Sequence, residues 1–291
     1  MISQLAAVLA PVVLCAGIGV VWGRLRQPFD TRMIAGLVLN VTTPCLILYT
    51  LTRLLVDPAI LGEFALATML MITGAMAVGW LVLRVFGLSA KVYLPAMFLS
   101  NTGNTGLPLC LFAFGETGLA YGIVFFIVTI AFQYTAAPAI ASGSRDMGKL
   151  LRMPVLWSIA ISIVMMILHV QPPDWISNTL KLLGNVTIPM MLFSLGVALS
   201  RLRPGWIGLG VMLSVAKLAT GLAIGLGLSH LFGFSGPARG VMIIQSCMPA
   251  AVLAYIIAEH FGTEAEKVAS LVVISTLLVF LALPGILWLV L

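Results

Sequence analysis

In the middle of one apolar stretch, Ser100-Asn101-Thr102-Gly103-Asn104-Thr105-Gly106-Leu107-Pro108 collects amides, hydroxyls, two glycines and a proline. Proline lacks an amide donor and clashes with the preceding helical turn, and glycine admits non-helical angles. A helix must therefore break here. Backbone groups freed at mid-membrane cannot face lipid, where each would cost several kcal/mol, so they are buried in protein or line a watery cavity. A new helical half beginning after the break offers free N–H groups and a positive dipole end, beside amide and hydroxyl side chains. That equipment holds an anion without any covalent chemistry. A second apolar stretch is interrupted at Gln245-Ser246-Cys247-Met248-Pro249. The candidate binding residues are Asn101, Thr102, Gly103, Asn104, Thr105 and Pro108 from the first break, with Gln245, Ser246 and Pro249 from the second.

Lys217 is the other outlier, set within Met212-Leu213-Ser214-Val215-Ala216-Lys217-Leu218-Ala219-Thr220. A cation at mid-bilayer costs at least ~2.5 kcal/mol on insertion scales, so it faces the interior or a cavity. It is read as a further substrate-binding residue, a counter-charge for a bound anion or a proton-linked switch, in preference to a structural bond to a broken-helix carbonyl; snorkelling is hampered by its depth.

Catalysis has no candidates. HExxH, GxSxG and phosphate-binding glycine loops are absent from the sequence. Cys15, Cys45, Cys110 and Cys247 all sit in apolar stretches without CxxC spacing, so neither zinc nor a disulfide framework is indicated. No metal ligand set and no cofactor are expected.

These residues need elements to position them. Of the 291 residues, 61% are apolar and 8% charged, against about 25% charged in soluble domains. The composition is that of an integral membrane protein with a lipid bilayer as its partner. The formal charge of +6 does not point to nucleic acid, because the basic residues stand singly in short loops. Ten spans are predicted near 5–23, 32–52, 60–83, 91–113, 118–140, 154–170, 175–199, 205–232, 236–258 and 265–290. Eleven of the fifteen Lys and Arg, among them Arg24, Arg84, Arg152, Arg201 and Lys267, fall on one side of this arrangement. Arg53, Lys181 and Arg239 fall on the other. The positive-inside rule makes the first side cytoplasmic and both termini non-cytoplasmic.

The chain repeats itself. Asn40-Val41-Thr42-Thr43-Pro44 returns as Asn185-Val186-Thr187-Ile188-Pro189, 145 residues later. The predicted organisation is a first five-helix repeat over 1–140, a short cytoplasmic linker over 141–153 carrying Arg145, Lys149 and Arg152, and a second repeat over 154–291. Asp57-Pro58 before the third span answers Arg203-Pro204 before the eighth. With five spans per half the repeats are inverted, the usual build of secondary transporters. Asn40, Pro44, Asn185 and Pro189 are read as helix-break residues, the two asparagines bonding across helices. Gly19 with Gly23, and Gly221 with Gly225, have the spacing that lets helices pack closely.

Asn104-Thr105-Gly106-Leu107-Pro108-Leu109, Ser246-Cys247-Met248-Pro249-Ala250-Ala251-Val252 and Ser275-Thr276-Leu277-Leu278 resemble the auxin efflux carrier family, in its bacterial branch. The resemblance covers essentially the whole chain, and the short 141–153 linker fits that branch. It implies an all-α membrane protein of the bile-acid-symporter-like superfamily, with ten helices in two inverted five-helix repeats and helices 4 and 9 crossing at unwound centres. It further implies an elevator-type carrier of small organic anions such as malonate or malate, or auxin-like acids, bound near Asn101, Asn104 and Pro249. An inner-membrane location and a homodimer follow from the same resemblance. The alternative is a sodium-coupled symporter of the bile-acid type. Hard cations want several oxygens, usually with a carboxylate, and the interruptions contain none, which favours uniport or proton coupling.

Overall fold

A computed structural model describes residues 2–53, 58–142, 151–168, 170–202, 205–260 and 264–291. Asp57, Arg145, Lys149, Arg203 and Pro204 lie outside the described residues, as does most of the predicted linker. The described chain is helical throughout, with no strand beyond one isolated bridge. The first part comprises α1 (Ile2–Arg24), α2 (Thr31–Leu37), α3 (Thr43–Arg53), α4 (Pro58–Val85), α5 (Ala90–Phe98) and α6 (Leu107–Ser142). The second comprises α7 (Pro154–Ile167), α8 (Asp174–Gly184), α9 (Thr187–Arg201), α10 (Ile207–Leu231), α11 (Gly236–Ser246), α12 (Val252–His260) and α13 (Ala265–Val290).

Among the described residues seven segments are long and apolar enough to cross a membrane: Leu5–Arg24, Thr31–Arg53, Ala59–Val85, Thr102–Ala141, Asp174–Arg201, Ile207–Leu231 and Ala265–Val290. The shorter Pro154–Ile167 is also apolar. The sequence predicts ten. The difference arises where helices break. α5, α11 and α12 have only 9, 11 and 9 residues, each too short to span ~30 Å of hydrocarbon at 1.5 Å per residue. Thr102–Ala141 is instead too long for one crossing. Gly115, at φ +65° and ψ −153°, interrupts α6. A Cβ on Gly122 would lie 3.2 Å from Leu107 Cδ2 and from Cys110 Cβ. Residues that far apart in sequence touch only if the chain doubles back, so α6 is a hairpin with its tip at Gly115.

The repeated Asn-Val-Thr-x-Pro motifs sit at the two expected breaks. Pro44 lacks the N–H that would bond four residues back, and the chain widens into a π turn at Val38–Thr42 just before it. Pro189 is the third residue of α9, where its missing donor is not needed, and α8 ends at Gly184.

The helices pack in two groups. α1 lies along α9, and α3 packs on α7 and α8. α4 packs on α5, α6 and α10, while α10 packs on α13 and α11. In the first group a Cβ on Gly19 would strike the Phe193 carbonyl, and one on Gly196 the Ala16 carbonyl. Glycine there permits backbone-to-backbone approach. In the second group Gly221 packs against the Ser246 carbonyl at the end of α11. The glycine pairs singled out in the sequence thus serve close packing.

Candidate functional site

The two broken stretches meet. Asn101 N donates to Pro249 O at 2.7 Å and Ala251 N donates to Leu99 O at 3.0 Å, pairing Ser100 with Ala250 as an antiparallel bridge. Each break thereby satisfies backbone groups the other has freed, as backbone in a non-aqueous interior requires. Ala250 N also donates to Ser275 Oγ at 3.1 Å, tying the crossing to α13. On the far side of Asn101, its carbonyl accepts from Thr105 N at 3.3 Å and Gly106 N at 3.2 Å, which closes the π turn Thr102–Gly106.

Lys217 is 6% exposed. Its ammonium donates to Met97 O at 2.8 Å and Ser100 Oγ at 3.1 Å. Met97 lies in the last turn of α5, so the cation stands at the negative end of a half-helix and satisfies a carbonyl that the break has orphaned. Among the roles read from the sequence, this geometry is the structural bond to a broken-helix carbonyl.

A cavity of about 210 Å³ opens beside the crossing. One wall is the crossover itself, with Ser100, Asn101, Thr102, Gly103 and Asn104. Ala251, Val252 and Leu253 bring the first turn of α12 to the same space, where N–H groups have no intrahelical acceptor. Gln133 and Phe126 come from α6, and Val38, Leu39, Met191 and Ser194 from the first helix group. None of the lining residues is charged. Asn101 is 6% exposed, and its Nδ2 has no hydrogen-bond partner among the described residues. An unused buried donor costs about 1–3 kcal/mol; Nδ2 itself is buried, although Asn101 is among the residues lining the cavity. Thr31, the first residue of α2, and Ala198, in the last turn of α9, put one end of the cavity beside Arg32 and Arg201. Arg201 donates to Thr31 Oγ1 at 3.1 Å and Phe29 O at 3.0 Å, fixing that end.

Of the predicted binding residues, Asn101, Thr102, Gly103 and Asn104 line this cavity. Thr105, Pro108, Gln245, Ser246, Pro249 and Lys217 are not part of its lining. Gln245 is fully buried behind the crossing, its Nε2 donating to Thr102 O at 3.4 Å. A Cβ on Gly106 would collide with its amide. Ser246 Oγ donates to Met242 O in its own helix at 2.6 Å. Asn40 and Asn185 are exposed, and among the described residues no hydrogen bond joins either side chain to the crossing. Sequence reasoning did not single out Phe126, Met191 or Ser194. An apolar residue or lone serine in an apolar span carries no signal of which way it faces.

Two further cavities, of about 440 and 220 Å³, lie at the opposite helix ends and share Tyr49 and Glu116. Among the described residues no group of three His, Cys, Asp or Glu could hold a metal ion.

Residues 139–287 match the family described as membrane transport protein. The chain is 27% identical over 269 residues, 88% of its own length and 87% of the relative's, to a protein of Methanothermobacter thermautotrophicus named "Uncharacterized transporter". It is 24% identical over 206 residues to the "Putative malonate transporter" of Rhizobium meliloti, covering 65% of this chain and 64% of that one. Over 144 residues it is 26% identical to auxin efflux carrier component 3a of Oryza sativa subsp. japonica, covering 47% of this chain and 23% of the rice protein.

Proposed function

The chain belongs to the membrane transport protein family, that of the auxin efflux carriers, and from this premise we propose that it is a secondary carrier of small organic anions, with the carboxylate held at the crossover by Asn101, Asn104 and the first turn of α12. The observation that carries this reading is Asn101, a residue of the cavity lining whose buried Nδ2 has no partner among the described residues. A carboxylate oxygen is the acceptor it lacks. Charge-assisted hydrogen bonds are roughly twice as strong as neutral ones, and the α12 N-terminus adds a positive dipole end. A site of amides and dipoles, without a fixed cation, binds an anion while leaving it free to depart. The relatives named for malonate and auxin transport support carboxylates as the class.

The finer architecture belongs to the same proposal: ten spans in two inverted five-helix repeats, 1–140 and 154–291, in which helices 4 and 9 are α5 with the first leg of α6, and α11 with α12. Support comes from the two Asn-Val-Thr-x-Pro breaks and from the mutual pairing of the two crossover segments. The group of α4–α6 and α10–α13 carries the crossing, and the group of α1–α3 and α7–α9 supplies the facing wall. Movement of the first against the second gives alternating access in an elevator manner. The charge asymmetry supports an inner-membrane orientation with the 210 Å³ cavity open to the cytoplasm.

A sodium-coupled carrier is the second reading, favoured by two buried oxygens near the crossing, Gln245 Oε1 and Thr105 Oγ1, that have no partner among the described residues. Sodium replacement during uptake into proteoliposomes separates the readings. Uptake unchanged without sodium supports uniport or proton coupling; loss of uptake overturns it. Asn101→Ala is the test of the site: anion binding by isothermal titration should weaken about tenfold, as loss of a charge-assisted bond of ~1.5–3 kcal/mol requires. Wild-type affinity in this variant would remove Asn101 from the site.

A further inference from the structure

The cavities opposite the cytoplasmic one are built differently. That of about 440 Å³ is lined by Tyr49, Arg53, Glu116 and Gln171. That of about 220 Å³ shares Tyr49 and Glu116 and runs inward to Asn185 and Pro189, the second copy of the repeated motif. The cytoplasmic cavity borders Val38 and Leu39 in the π turn of the first copy. The second copy of the motif therefore lines the outer cavity, while the inner one is bordered by the two residues just before the first copy.

The outer compartment has what the inner one lacks. Tyr49 is buried, and its hydroxyl accepts a hydrogen bond from Arg53 Nη1 at 3.0 Å while the guanidinium carbon lies 5.1 Å from its ring centre. Lys181 Nζ approaches the same ring at 5.8 Å. The sequence places only three basic residues on this side, and two of them gather on one tyrosine. Glu116, at the tip of the α6 hairpin, shares the compartment, yet it forms no ion pair with Arg53. Among the described residues the compartment is lined by one cation, Arg53, and one acid, Glu116, with the guanidinium fixed in place, Gln171 as a further donor and Lys181 behind the tyrosine ring.

We propose that this compartment is an extracytoplasmic anion-docking site for the carboxylates that the carrier moves, with Arg53 as its recognition residue and Tyr49 positioning it. The inference rests on the carrier reading above. A guanidinium held in place offers a carboxylate two parallel charge-assisted hydrogen bonds. It supplies the charge recognition absent from the neutral crossover, and it does so on the side where the crossover must next open. Glu116 lies on the helix group that carries the crossing, whereas Arg53 and Lys181 lie on the other, so movement between the groups alters how far the acid offsets the cations.

The test is counterflow of malonate and of indole-3-acetate in proteoliposomes of defined orientation, with Arg53→Gln and Glu116→Gln. Arg53→Gln should raise the half-saturating concentration from the extracytoplasmic face about three- to tenfold and leave the cytoplasmic face unchanged. Glu116→Gln should lower it, and both effects should shrink in high salt. Equal half-saturation on the extracytoplasmic face in all three proteins would overturn the docking site and leave the carrier reading intact. Equal changes on both faces would reduce Arg53 to a structural role and overturn it too. Wild-type vesicles that exchange neither probe would count against the carrier reading itself, and the docking site would fall with it.

Discussion

At the residue scale, two polar groups in an apolar interior answer to opposite rules. Lys217 is buried with its donors engaged, to Met97 O and Ser100 Oγ. Asn101 is buried with a donor unused. The first pattern is that of a structural brace; the second fits the binding role proposed for Asn101. Lys217→Ala should therefore lower thermal stability, by about 2–3 kcal/mol for hydrogen bonds from a charged group, while the half-saturating anion concentration of the protein that folds stays near wild type. Differential scanning fluorimetry with transport on the same preparation checks both halves. A large rise in half-saturation at unchanged stability would make Lys217 a counter-charge after all. Outside the membrane, Glu264 illustrates bracing by a carboxylate. The Lys267 hydrogen bond first, and then that from Tyr93 at 2.5 Å, hold its carboxyl below the usual carboxylate range. Its tie therefore persists at neutral pH and is lost only as acid protonates it.

At the element scale, breaks rather than helices carry the site, and breaks are also where the sequence is most legible. Clusters of Gly, Pro, Asn and Thr inside apolar stretches revealed both halves of the crossing and both Asn-Val-Thr-x-Pro motifs, because each of these residues has a specific reason to interrupt a membrane helix. The pairing of Ser100 with Ala250 was not legible, since backbone bonds between distant segments leave no pattern in side-chain types. Nor was the division of polar residues into those facing the cavity and those behind it. Gln245 and Asn101 look alike in sequence, and only the packing of Gly106 against the Gln245 amide places the glutamine behind the crossing. Two substitutions probe the elements. Gly106→Ala pushes a methyl group into that amide and should abolish transport with little folded protein recovered. Gly115→Ala at φ +65° and ψ −153° should destabilise by about 1–3 kcal/mol without touching the cavity at the crossing, because it strains the hairpin tip on the opposite side. A Gly106→Ala protein with normal stability and uptake would show the crossing to be looser than described.

At the scale of the whole molecule, a neutral polar crossing lies between cavities at opposite helix ends, carried by one group of helices and faced by another. The close glycine contacts lie within the groups, between α1 and α9 and between α10 and α11. Rigid groups with a thinner seam between them are what relative movement requires. The proposed carrier differs in this from a channel, which builds its pore from rings of like residues. Cysteine at Ser194 should accordingly react with a membrane-impermeant thiol reagent from the cytoplasmic face and be protected by a bound carboxylate, since Ser194 lines the inner cavity. The measurement that tests the central claim most directly is trans-stimulated counterflow of a radiolabelled carboxylate panel in proteoliposomes, wild type beside Asn101→Ala. Saturable exchange, accelerated by unlabelled carboxylate on the opposite side and lost about tenfold in affinity on Asn101→Ala, is the result predicted. Flux that does not saturate, or exchange indifferent to Asn101, would contradict a carrier that holds its anion at the crossover.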